Sequence, residues 1–141
     1  MSRASLGACC AAESILLVED DMSVRTLAVS LLRRLGYSVQ PTANGNEALE
    51  MAQSPGKNFD LLMTDVVMPE MDGKELADRL GKIAPDIAIL FTSGYTENVI
   101  VHHGILAERL HFLSKPYSIQ TLANKLAEVL AARRRDIEAK R

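Results

Sequence analysis

The chain has 141 residues, of which 48% are hydrophobic and 24% are charged, and its formal net charge at pH 7 is -2. This length suits one domain with a single core, and the composition excludes a disordered or collagen-like chain. The slightly negative charge provides no basic field that would hold nucleic acid, so no nucleic-acid partner is expected.

The amino-terminal stretch carries the only two cysteines, Cys9 and Cys10. Adjacent cysteines do not form a disulfide framework, and without nearby histidines they do not form a zinc site. The lack of a disulfide framework is typical of a protein in a reducing compartment. The chain has no apolar core of signal-peptide length and no run of about 18 apolar residues. We therefore expect a cytoplasmic protein without membrane contact, in which residues 1–13 form a flexible tail.

The first half of the chain alternates two periodicities. Residues 15–18 are an apolar run typical of a strand buried on both faces, and residues 22–35 follow with helical spacing up to Gly36, a left-handed cap. A weaker strand over residues 37–40 and a short helix over residues 46–53 repeat the cycle. The pattern predicts two successive strand–helix units.

The second half continues this alternation. Predicted strands cover residues 59–64, 87–92 and 110–113, and the third helix is stopped by Pro85. A weak helix over residues 96–103 and a long one beginning near residue 118 complete five strand–helix pairs. This order predicts an α/β fold with a doubly wound, five-stranded parallel sheet and helices on both faces.

Polar side chains follow four of the predicted strands at their carboxyl ends. These residues are Glu19 and Asp20, Asp65, Ser93 and Lys115. Ligands of such sheets bind beyond the carboxyl ends of the strands, so we expect these side chains to converge. Three carboxylates placed together would repel one another unless they shared a cation, and a hard divalent ion, Mg²⁺ or Mn²⁺, suits carboxylate oxygens.

The same set supplies the parts of a phosphoryl-transfer site. A carboxylate such as that of Asp65 can act as a nucleophile and form an acyl phosphate. The transferring group then needs neutralising charge from a metal, an ammonium and a hydroxyl group. Lys115 and Ser93 offer the last two.

Three short segments resemble the response-regulator receiver family of two-component systems: Leu-Val-Glu-Asp-Asp at residues 17–21, Met-Thr-Asp-Val-Val-Met-Pro-Glu-Met-Asp-Gly at residues 63–73, and Ser-Lys-Pro at residues 114–116. The resemblance covers roughly residues 14–132. It implies a flavodoxin-like receiver domain with strand order 2-1-3-4-5, followed by residues 133–141 as a basic extension of the last helix.

The resemblance also implies roles for particular residues. Asp65 would be the phosphoacceptor, Asp20 a direct magnesium ligand, the Val67 backbone carbonyl another ligand, and Glu19 a ligand through water. Lys115 would pair with the phosphoryl oxygens.

Two further positions match the switch of that family. Ser93, rather than its neighbour Thr92, aligns with the switch hydroxyl, and Phe112 aligns with the switch aromatic. The donor would be a histidine kinase or a histidine phosphotransfer protein, the recipient of the signal an unknown downstream protein, and a homodimer is one possible assembly. The chain would be a signalling domain that assists its own phosphorylation and dephosphorylation, not an enzyme.

Two departures from better-known receivers bear on the mechanism. Val67 and Tyr95 offer no carboxamide or carboxylate to orient a water molecule, so slow self-dephosphorylation is expected. The stretch over residues 95–108 is short, is interrupted by Gly104 and lacks a regular amphipathic fourth helix. Residues 92–104 resemble receivers attached to hybrid sensor kinases. Whether the chain acts alone or belongs to a longer sensor protein is open.

Other interpretations compete with the receiver. A pseudo-receiver that only binds a partner is one, and a haloacid dehalogenase-type phosphatase is another, although Val67 stands where that family has a second acid. Asp21 and Asp72 are expected to be helix caps instead of ligands. The arginines at positions 133–135 are expected to be solvated at a helix end.

Overall fold

The computed structural model of the protein describes residues 13–56, 58–66, 70–93, 111–115 and 117–139, with only the backbone of Ser93 and Ser114. Its strands are β1 Ser14–Val18, β2 Ser38–Thr42, β3 Leu61–Asp65, β4 Ala88–Ser93 and β5 His111–Ser114. Its helices are α1 Met22–Arg34, α2 Gly45–Gln53, α3 Gly73–Ile83 and α4 Ile119–Ala139. The predicted helix over residues 96–103 and residues 1–12 of the predicted tail over residues 1–13 lie outside the described residues.

The five strands form one parallel sheet in the order β2-β1-β3-β4-β5. This confirms the predicted fold class and strand order. Val18, the last residue of β1, lies opposite Thr42 of β2 and Thr64 of β3. Because the strands are parallel, their carboxyl ends lie along one edge of the sheet, and residues that follow them are brought together there.

Alternating side chains of the strands fill two cores, one on each face of the sheet. Ile15 and Leu17 of β1 pack with α1 and α4, whereas Leu16 and Val18 pack with α2 and α3. All four residues are buried, which explains why β1 reads as a continuous apolar run and not as an alternating one. The architecture is therefore a three-layer sandwich.

Local signals fix the ends of the helices. Asp21 and Asp72 cap α1 and α3, because their side chains accept hydrogen bonds from the backbone N–H groups of Val24 and Glu75. At the other end of α1, the N–H of Gly36 bonds to Arg33 and that of Tyr37 to Leu32, with Gly36 at φ 95°. Both caps and the glycine stop are as predicted.

The predicted boundary of the second strand was wrong. The sequence favoured a strand over residues 37–40 that ended before Pro41, whereas β2 continues through Pro41 to Thr42. Pro41 has no backbone N–H to donate, but β2 lies at the edge of the sheet, and among the described strands it pairs with β1 alone. An edge strand tolerates proline for this reason.

Arg133 of α4 contacts residues at the amino ends of the strands. Its guanidinium lies 3.3 Å from the Asp60 carboxylate and donates a hydrogen bond of 2.7 Å to the Asp86 carbonyl. Asp60 also accepts a bond of 2.8 Å from the backbone N–H of Ser14. The expectation that Arg133 is solvated was therefore wrong.

Across the described ranges, no helix combines the length and apolar character that crossing a membrane requires.

Candidate functional site

The first part of the site is the turn between β1 and α1, which carries Glu19 and Asp20. The Glu19 N–H continues the pairing with β2 by bonding to the Thr42 carbonyl at 3.1 Å, and Glu19 is only 4% exposed. Its side chain accepts a hydrogen bond of 3.2 Å from the N–H of Asp21. Asp20 is exposed. The turn thus buries one carboxylate and presents the next to solvent.

The second part is Asp65, the last residue of β3. The next residue, Val66, is bonded to Gly73, the first residue of α3: the Gly73 N–H donates to the Val66 carbonyl at 2.8 Å. A Cβ atom at Gly73 would lie 2.2 Å from the Asp65 carbonyl oxygen, which is closer than real Cβ contacts. Glycine is therefore required here by the close approach of two backbones.

Lys115, which follows β5, joins the two carboxylates. Its Nζ lies 2.7 Å from Glu19 Oε1 and 2.9 Å from Asp65 Oδ2. The side chains of Glu19 and Asp65 are 5% and 13% exposed, and that of Lys115 is 21% exposed. Residues 96 and 50 positions apart in the chain are thus brought into direct contact.

Burial and charge shift the pKa values in this cluster. Burial raises the pKa of the Glu19 carboxyl and the negative charge of Asp65 adds to this, while the hydrogen bond from Lys115 opposes it. For Lys115, burial alone would lower the pKa. The hydrogen bonds and charges of Glu19 and Asp65 outweigh burial, so the pKa of the ammonium is raised. Lys115 is therefore a charged partner of the acids at neutral pH.

The acidic residues also fit a divalent cation. Glu19, Asp20 and Asp65 each offer one carboxylate oxygen, and these atoms all lie within 4.8 Å of one another. Oxygen donors at such spacing suit a hard ion such as Mg²⁺, which is held by a few carboxylates and retains several waters. The three carboxylates could hold such an ion at the open edge of the sheet.

Not every predicted site residue falls within the described residues. Val67 and Tyr95 lie outside them, and for Ser93 only the backbone at the end of β4 is described. Phe112 lies on β5 and is half-buried against the cluster of Val66 and Phe91. Its strand is adjacent to β4, so Phe112 and Ser93 are on neighbouring strands.

Sequence reasoning missed Arg25, which also contacts the site. Its guanidinium donates a hydrogen bond of 2.8 Å to the Glu19 carbonyl oxygen. An arginine in the first turn of an amphipathic helix looks like an ordinary solvent-facing residue. Its position was the useful signal. Arg25 lies six residues after Glu19, in the first turn of α1, and a long side chain there can reach back to the turn between β1 and α1.

The sheet order and the acidic edge define a receiver-type α/β domain. Residues 15–127 match the model of the response regulator receiver domain family, and the chain belongs to that family. It is thus a receiver domain of two-component systems, a class of signalling domains.

Several known proteins are similar to it. Sensor kinase CckA of Brucella abortus is 42% identical over 117 residues, which are 83% of this chain but 12% of that kinase. Response regulator receiver protein CpdR of the same bacterium is 40% identical over 118 residues, 84% of this chain and 97% of the relative. The crystal structure of the receiver domain from hybrid histidine kinase CckA superposes with a TM-score of 0.70 at 37% identity, covering 83% of this chain and 98% of that one.

Proposed function

We propose that the chain accepts a phosphoryl group on Asp65 and transmits the signal by a change of conformation and by protein contact. The observation that carries this proposal is the position of Lys115, whose ammonium lies within 2.9 Å of both Asp65 and Glu19. A carboxylate that is only partly exposed, paired with a fixed ammonium and flanked by two further acids, has the composition of a phosphoryl-transfer site.

The reaction is a displacement at phosphorus. A carboxylate oxygen of Asp65 forms a bond to the phosphorus atom of a phosphorylated histidine whose other ring nitrogen is protonated. The P–N bond breaks, and neutral imidazole leaves with that electron pair. The product is an acyl phosphate, which retains the charge of a phosphate group. Lys115, already at the carboxylate, pairs with the phosphoryl oxygens and offsets their charge.

The metal partners in this proposal are Glu19, Asp20 and Asp65, with the Val67 carbonyl added from the family resemblance. Asp20 is exposed and suits a direct ligand, whereas Glu19 is engaged by Lys115 and by the Asp21 N–H and suits a ligand through water. Bound Mg²⁺, or Mn²⁺ in its place, supplies positive charge that stabilises the transferring phosphoryl group.

The switch residues of the proposal are Ser93 and Phe112. The Ser93 hydroxyl would donate a hydrogen bond to the new phosphoryl group. The side chain of Phe112 would then rotate further inward. Because Phe112 packs against the cluster of Val66 and Phe91, its movement would change the surface around β4 and β5. Without a water-orienting side chain at Val67 or Tyr95, loss of the phosphoryl group should be slow.

The proposed donor is a histidine kinase or a histidine phosphotransfer protein. The similarity to a receiver protein and to part of a sensor kinase supports a partner of this class. The downstream partner is a protein.

Intact mass spectrometry after incubation with acetyl phosphate and MgCl₂ tests the proposal. We expect a gain of about 80 Da, one phosphoryl group replacing a proton, in the native protein and in D78N, which alters an exposed acid on α3. The D65N variant should gain nothing. Labelling of D65N, or no labelling of the native protein while another receiver is labelled in parallel, would refute the proposal, and the second result would favour a pseudo-receiver.

A further inference from the structure

Arg25 connects the first turn of α1 back to the end of β1. Its backbone N–H bonds to the Asp21 carbonyl at 2.8 Å, as part of the helix, and its guanidinium bonds to the Glu19 carbonyl at 2.8 Å. The Arg25 side chain is half-buried. Arg25 therefore binds the carbonyl groups of both Glu19 and Asp21, the first and last residues of the acidic turn between β1 and α1.

We infer that Arg25 is a positioning residue for metal binding at the acidic turn, an inference that rests on the proposed metal site. The peptide group that joins Glu19 to Asp20 is planar, so a fixed Glu19 carbonyl also fixes the nitrogen and Cα of Asp20. Arg25 thereby sets the point from which the exposed Asp20 side chain extends.

The remaining bonds of the turn do not replace this contact. The Glu19 N–H is held by Thr42 and the Glu19 side chain by Lys115 and Asp21. These bonds fix the Glu19 nitrogen and carboxylate, but rotation about ψ of Glu19 would still swing the following peptide group. The bond from Arg25 acts on that rotation, because its acceptor is the carbonyl oxygen.

The charge of Arg25 and its hydrogen bond act in opposite directions on a bound cation. A guanidinium near three carboxylates repels a divalent ion, so charge alone would make metal binding tighter when the arginine is neutralised. A preorganised turn makes binding tighter when the hydrogen bond is present. The sign of the effect therefore separates the two roles, and our inference is that the hydrogen bond dominates.

The experiment compares R25M, which has neither charge nor donor, with R25K, which retains the charge and an N–H donor on a side chain one atom shorter. Binding of MnCl₂ to the otherwise metal-free protein is followed by the electron paramagnetic resonance signal of the free ion. We expect the Kd of R25M to rise about tenfold, the loss of roughly one charge-assisted hydrogen bond. The Kd of R25K should stay within about threefold of native.

A matched control is R79M, which removes the same charge from an exposed position on α3, where Arg79 pairs with Glu75. Its Kd should equal the native value. Urea unfolding of each variant separates binding from stability, since a purely structural role would lower the midpoint of R25M and leave its Kd unchanged. If R25M does not fold, R25Q serves instead: it has no charge, its side chain is two atoms shorter than that of arginine and does not reach the Glu19 carbonyl, and we expect the same rise in Kd.

Three results would overturn the inference. One is a Kd for R25M, or for R25Q in its place, at or below the native value, and another is the same Kd for R25M and R25K. In both cases the native protein binds Mn²⁺ and the proposed site stands without a role for Arg25. The third is no binding by the native protein, which would refute the metal site and Arg25's role together.

Discussion

Replacing Gly73 with alanine should destabilise the domain strongly, because α3 begins against the backbone of the proposed phosphoacceptor. The new Cβ would lie 2.2 Å from the Asp65 carbonyl oxygen and 3.1 Å from the Val66 Cα. Carbon–oxygen contacts lie at about 3.3 Å, so the start of the helix must retreat by about 1 Å. Such overpacking costs about 1–3 kcal/mol, and a weakened bond from Gly73 to Val66 adds about 1 kcal/mol. We expect roughly 2–4 kcal/mol of lost stability.

Gly81 provides the matched control in the same helix. A Cβ there meets nothing within 4 Å, so G81A should gain about 0.5–1 kcal/mol from helix propensity alone. Urea unfolding followed by circular dichroism measures both variants. A G73A protein within about 0.5 kcal/mol of native, far below the overpacking cost, would show that the backbones separate freely and would refute the reasoning.

Two further predictions concern the opposite edge of the sheet. In a double-mutant cycle with R133M and D60N, we expect a coupling free energy of about 1 kcal/mol in urea unfolding, since both side chains are partly buried; additive effects would contradict a direct interaction. Burial lowers the pKa of His111, with the charge of Glu128 opposing it, so the neutral imidazole is favoured in the folded state. Its contribution is present above the unfolded pKa of about 6.5 and is lost as the pH falls. H111Q should therefore lose less stability than native protein between about pH 7 and pH 5, and parallel losses would show that His111 does not titrate differently on folding.

The fold was predictable because local and global signals agree along the chain. The apolar run of β1, the glycine after α1 and the aspartate caps each specify a boundary without reference to distant residues. The direction of parallel strands then places Glu19, Asp65 and Lys115 at one edge. Their contact in the structure follows from topology, while their chemical roles remain proposals.

What could not be predicted depends on distant partners. The sequence predicts that Arg133 belongs to a solvated basic run, because its partner Asp60 lies far earlier in the chain and no local pattern links them. Local rules predict that a strand ends before Pro41. The strand β2 continues through Pro41 because it lies at the edge of the sheet. Arg25 was missed for a related reason: its acceptor is a backbone carbonyl, which leaves no trace in the side-chain sequence.

The contact of Arg133 with Asp60 brings the beginning and the end of the domain together. Ser14 at the start of β1 and Arg133 near the end of α4 bind the same carboxylate, on the edge of the sheet remote from Lys115. A domain whose ends emerge side by side can be inserted into a longer chain, or circularly permuted, with little disturbance. A solid support or a fusion partner attached at either end would leave the acidic edge accessible to a partner protein.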